Sequence, residues 1–143
     1  MNKINEMRFS NSLRQKLIKD CTPQELVAAL MLQAKCDAFN PEQVLADLYR
    51  YPQLWQSFWM GTMLPLNSQP PLPLSLIMLR DLQEFWHTDT LYVLAQNPMS
   101  ITPLQELGEQ WNCDTVQVID EEKAQALLGL YHDTPPIAVF WWD

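Results

Sequence analysis

Leu91-Tyr-Val-Leu-Ala95, Thr115-Val-Gln-Val-Ile119 and Ile137-Ala-Val-Phe-Trp-Trp142 are the three runs that decide the fold. Each is short, apolar and rich in β-branched or aromatic residues, which is the composition of a strand. Around them lie runs with helical spacing: Leu74–Trp86, Pro103–Trp111 and Glu121–Tyr131. Strands alternating with helices of about three turns imply a small α/β layer with mostly parallel strands, since a crossover helix returns the chain to the same end of the sheet. In the last run Ile137, Val139 and Trp141 fall on one face and Ala138, Phe140 and Trp142 on the other. A strand apolar on both faces belongs at the centre of a covered sheet. Gln117, in the middle of the second run, marks that strand as the edge.

Towards the N-terminus the punctuation is helical. Thr22-Pro-Gln-Glu25 combines a capping hydroxyl, a first-turn proline and a glutamate three residues after the cap. Leu26, Val27, Leu30, Met31 and Ala34 then recur at helical spacing. Asn40-Pro-Glu-Gln43 repeats that chemistry before Val44, Leu45 and Leu48. Pro52 interrupts the second helix. Tyr51, Leu54, Trp55, Phe58 and Trp59 follow an i, i+3, i+4, i+7, i+8 stripe, so a third helix is expected from Pro52 to Met60, closed by Gly61. Thr102-Pro-Leu-Gln105 opens a later helix with Thr102 as cap, and Asp120 caps the last one. A short basic helix from Ser10 to Lys19 would lay Leu13, Leu17 and Ile18 on the body.

Leu64–Leu74 holds four prolines and should be extended. The expected organisation is therefore a helical region over 1–62, a proline-rich connector over 63–73 and the α/β layer over 74–143. The class is α/β or α+β, with a helical N-terminal part packed on three mostly parallel strands.

With 143 residues and 48% hydrophobic content, the chain can fill a core of its own. No apolar run approaches the roughly 20 residues that span a bilayer. The first ten residues lack a continuous apolar stretch, so a cytoplasmic location is expected. Cys21, Cys36 and Cys113 are too widely spaced for a redox or zinc motif.

Charge is uneven along the chain. Residues 1–20 carry five basic and two acidic side chains, while 21–143 carry four basic and fifteen acidic. From Glu84 onward ten carboxylates face Lys123 alone. Such a surface repels phosphate backbones, so no nucleic-acid partner is expected.

Catalytic signatures are few. None of Gly61, Gly108 and Gly129 falls in a strand-to-helix turn, which excludes a phosphate cradle and leaves no cofactor implied. Asp81, Glu84 and His87 recur near one predicted helix end, where the dipole alone accounts for a histidine. His132-Asp133 has no serine or cysteine beside it in sequence. If the strands are parallel, Gln96-Asn97, Asp120-Glu121-Glu122 and Asp143 gather on one edge, where carboxylates can hold a divalent ion or act as acid and base. Asp120 is equally well explained as a cap, and Glu121 and Glu122 as first-turn acids.

No residue is assigned a catalytic or metal-binding role on these grounds. The leading expectation is a non-enzymatic interaction protein, of the assembly-factor, inhibitor or immunity type. Tyr51, Trp55 and Trp59 would supply aromatic anchors, and Asp120, Glu121 and Glu122 an acidic face for a protein of basic or mixed surface. The rival expectations are a small metal-assisted enzyme using the strand-end carboxylates, and an acidic mimic of DNA.

Overall fold

The computed structural model describes residues 16–63, 76–130 and 132–143. Most of the proline-rich stretch 63–73, along with Leu13, lies outside them. Helix α1, Pro23–Met31, opens with a full capping box: Thr22 Oγ1 accepts from the Glu25 N–H, and the Thr22 N–H donates to Glu25 Oε1, both at 3.1 Å. Helix α2, Pro41–Arg50, is capped by Asn40 and buries Val44, Leu45 and Leu48 as its spacing requires. On α1 the buried positions are Ala28 and Met31, while Leu26 and Leu30 of the expected stripe stay in contact with solvent. Leu17 and Ile18 are also exposed, beside a single 3₁₀ turn at Ile18–Asp20, so the basic segment does not lay them on the body.

The expected third helix is not formed. Pro52–Leu54 makes one 3₁₀ turn, and Trp55–Gly61 is strand β1. From Ser57 onward the residues alternate, with Phe58 and Met60 buried and Ser57 and Trp59 exposed. The helical stripe and the alternation share these residues, and aromatic side chains tip the choice towards a strand. The described residues of Leu74–Trp86 likewise form no α-helix. They make a 3₁₀ turn at Leu76–Leu79 and a tight turn through Asp81, whose φ is 56°. Ile77, Leu79, Leu82 and Phe85 are all exposed, and a short helix with no packed face is marginal in water.

The later elements follow the sequence closely. Strand β2 is Thr90–Ala95, helix α3 Ile101–Gln110, strand β3 Thr115–Ile119, helix α4 Glu121–Leu128 and strand β4 Ile137–Trp141. Helix α3 begins two residues before the expected proline, so Thr102 is inside the helix rather than its cap. Pro103 is tolerated there because first-turn N–H groups have no intrahelical partner. Helix α4 stops at Leu128, short of the expected Tyr131. Gly129 takes φ 67°, with its N–H on the Ala126 carbonyl and the Leu130 N–H on the Gln125 carbonyl. That double bond pattern closes a helix and needs a left-handed residue.

Among the described residues the sheet has four strands in the order β1-β2-β4-β3, and every neighbouring pair is antiparallel. The class is α+β, and the expectation of mostly parallel strands is corrected. Strands β2 and β3 do run the same way, but β4 lies between them and runs opposite to both. Its two apolar faces hold it at the centre and leave β3, with Gln117, at the edge.

Two rows of side chains cross the sheet towards α1–α3: Met60, Leu91, Phe140 and Val116, then Phe58, Val93, Ala138 and Val118. All but Val116 and Val118, at the β3 end, are buried. The main core forms there and includes Met31, Leu45, Leu48, Leu104, Trp111 and Trp142. Trp142 Nε1 donates to the Trp111 carbonyl at 3.0 Å, and Trp111 Nε1 to Asp47 Oδ2 at 2.8 Å. Both indoles are thus buried with their one donor used. Gly108 lets α3 approach β4. A Cβ there would stand 2.6 Å from Phe140 Cε1.

The opposite face carries a smaller cluster of Ile119, Ala124, Ile137 and Val139, flanked by Met63, Tyr92 and Leu94. Among the described residues no helix is long and apolar enough to cross a membrane.

Candidate interaction surface

The chain leaves edge strand β3 at Ile119 and enters α4 at once. Asp120 Oδ1 accepts from the Lys123 N–H at 2.9 Å and caps the helix. Glu121 and Glu122 follow in the first turn, where the helix dipole favours negative charge. All three carboxylates are exposed. Helix α4 buries only Ala124 fully. Leu127, Leu128 and Leu130 are 53%, 43% and 49% exposed, and Val118, on the other face of the sheet, is 42% exposed. An open depression of about 470 Å³ runs between Glu121, Glu122, Gln125, Leu130 and Asp133. This part of the molecule therefore sets uncovered leucines beside carboxylates, with Lys123 the one cation of the helix.

The aromatic residues singled out in the sequence lie elsewhere. Trp55 is half-buried, its Nε1 donating to the Leu48 carbonyl at 2.7 Å and its ring packed on Tyr49 and Phe58. Tyr51 is half-buried under the Arg50 guanidinium, at the margin of a depression of about 380 Å³ between α2 and α3. Trp59 is 48% exposed on β1, its ring edge-on to Trp86 at 5.6 Å. Strands β2 and β4 separate β1 from β3, so about 14 Å of sheet lies between the Trp59 strand and the strand leading to Asp120. Asp120, Glu121 and Glu122 come together, while Tyr51, Trp55 and Trp59 do not join them.

The strand-end carboxylates divide in the same way. Because β4 is antiparallel to β2 and β3, Asp143 lies at the opposite end of the sheet from Asp120. There it lines a cleft of about 340 Å³ with Cys36, Asp37, His87 and Asp89. His87 Nε2 stands 3.3 Å from Asp81 Oδ2, although the helix expected to carry both is absent. Burial pushes the Cys36 thiol up, and Asp89 and Asp37 push it further. Its Sγ lies 3.7 Å from the Trp142 carbonyl. A nucleophilic cysteine needs the reverse, a cationic setting that favours the thiolate. Among the described residues no three His, Cys, Asp or Glu side chains are grouped to hold a metal ion.

The chain matches no family model, no curated protein and no solved structure.

The acids stand out in the sequence as charge, whereas Leu127, Leu128 and Leu130 do not stand out there as exposed. A signal was present: α4 crowds its leucines into its last turn, so one narrow face cannot bury them all.

Proposed function

We propose that this chain is a non-enzymatic protein-binding protein, and that it offers the β3–α4 surface to a partner of basic or mixed surface. The observation that carries the reading is the exposure of Leu127, Leu128 and Leu130 at the end of the helix that Asp120, Glu121 and Glu122 open, with Leu130 sharing a depression with Glu121, Glu122 and Asp133. Apolar side chains left uncovered and rimmed by charge have the anatomy of a protein interface. The carboxylates would steer a cationic partner and set its orientation, and the leucines would supply the apolar contact. Trp59 is a separate exposed anchor at the other edge of the sheet.

The test is capture of a stoichiometric partner from native lysate on the immobilised full chain, at low and at high salt. The wild type should retain a partner that high salt releases, and the pair Glu121→Lys with Glu122→Lys should fail to retain it. That variant leaves the Asp120 cap in place. Equal retention by the variant at low salt would overturn the acidic-surface reading.

A further inference from the structure

The two edges of the sheet are treated differently by the rest of the chain. On β1 the Gln24 carboxamide acts as a strand neighbour: its Nε2 donates to the Phe58 carbonyl at 3.0 Å, and its Oε1 accepts from the Phe58 N–H at 2.8 Å. A bulge between Trp55 and Ser57 also breaks the strand. Strand β3 has none of these devices. Thr115-Val-Gln-Val-Ile119 contains no proline, lysine, glycine or bulge, and its register against β4 is unbroken. Among the described residues its outward backbone groups meet no partner. A bare edge of β-branched residues is a template for another strand, which is why proteins usually blunt such edges.

Charge decides which strand fits. Asp114 and Asp120 flank β3 just before Thr115 and just after Ile119, their carboxylates accepting from the Asp143 N–H at 2.7 Å and from the Lys123 N–H at 2.9 Å. A second copy pairing antiparallel about Gln117 would place Thr115 opposite Ile119, Val116 opposite Val118, and Asp114 opposite Asp120 twice over. Like charges directly opposite are destabilising, so the edge resists its own copy. We propose that β3 is a strand-addition site for an extended segment of another protein, one with five β-prone residues between two basic ones. The segment would pair its backbone with 115–119 and set its cations against Asp114 and Asp120, while the neighbouring leucines of α4 meet the rest of the partner. This mode rests on the protein-binding reading above and adds to it the conformation and charge pattern of the bound segment.

The probe is the blocked peptide KTVTVTK, titrated into the full chain at low salt and read by binding and by amide hydrogen exchange. It should bind saturably, slow exchange within 115–119, and lose affinity as salt is raised. The peptide ETVTVTE should bind about tenfold more weakly or worse. KTVTVTK methylated on alternate backbone nitrogens should not bind, and this control leaves the protein untouched. Asp114→Asn with Asp120→Asn should weaken KTVTVTK about three- to tenfold without unfolding the chain, because asparagine caps a helix as well as aspartate does. Equal binding of ETVTVTE or of the methylated peptide would overturn the proposal. So would protection outside 115–119, or a self-associated chain whose 115–119 amides are already slow. A lysate partner that binds without slowing these amides would leave the protein-binding reading standing and remove strand addition alone.

Discussion

Strand β1 is closed by a side chain that comes from α1, more than thirty residues earlier in the chain, whereas among the described residues the outward backbone of β3 meets no partner. Both strands are short, both carry aromatic or β-branched residues, and both pair with one neighbour. What separates them is therefore not their own composition. An edge is blunted by something brought to it, here the Gln24 carboxamide, and nothing in Trp55–Gly61 announces that visitor. The contrast teaches that the exposed strand is a property of the assembled fold, and that the same backbone is inert at one edge and receptive at the other.

The largest effect should come from disturbing the support behind β3. Gly108→Ala would drive a methyl group into Phe140 and, at 3.1 Å, against Val116 Cγ2. A loss of about 1–3 kcal/mol is expected, read as a lower denaturant midpoint with an unchanged slope. Amides of β3 should exchange faster before those of β1 do. If β1 were to loosen first, α3 would not be the support of the bare edge.

Next comes the guard on β1. Gln24→Ala removes both bonds to Phe58 and should cost about 1–2 kcal/mol. The Phe58 amide should lose protection, and the chain should begin to self-associate through β1 in sedimentation runs. Thr22→Ala, which weakens the helix carrying Gln24, should cost about 1 kcal/mol and loosen the same amide less.

A pH series sharpens the same point. The Glu25 carboxyl is held below its ordinary value of 4.5, first by the Lys16 ammonium and then by the Thr22 N–H. A carboxyl depressed in the folded state stabilises above its ordinary value, and that contribution goes as pH falls through the depressed one. The thermal midpoints of wild type and Glu25→Gln should therefore differ at neutral pH and converge below about pH 4.5. An unchanging gap down to strong acid would mean that Glu25 acts through shape rather than charge.

The smallest effect on stability belongs to the bare edge itself. Val118→Lys places a cation in the middle of β3 and should move stability by no more than about 0.5 kcal/mol. It should nevertheless weaken KTVTVTK about threefold or more, as edge lysines do in proteins that avoid strand pairing.

Much of this was legible in the residues. The bounds of Thr115–Ile119, the caps at Thr22, Asn40 and Asp120, and the central place of Ile137–Trp141 all follow from local pattern. The direction of the strands was not, because helices between strands are read as parallel crossovers unless a later strand fills the gap, and β4 does so. Tyr51–Trp59 misled because Tyr51, Leu54, Trp55, Phe58 and Trp59 satisfy a helical stripe while 57–60 also satisfy alternation. On the candidate surface, Asp120, Glu121 and Glu122 were visible as charge. The leucines at the end of α4 were visible only as a crowded last turn, since how far each is exposed depends on how shallowly that helix sits on Ile119 and Ile137.

The place of β4 also sets an order of events. Among the described residues strand β3 has β4 as its sole strand neighbour, and the two are paired from Thr115–Trp141 to Ile119–Ile137. Until the later segment docks against β2, Thr115–Ile119 has nothing to be the edge of. A half-folded chain would display loose apolar residues but no aligned row of amides and carbonyls between two aspartates. The bare edge thus cannot form before β4 joins the sheet, and a partner that pairs with it would be reading that step.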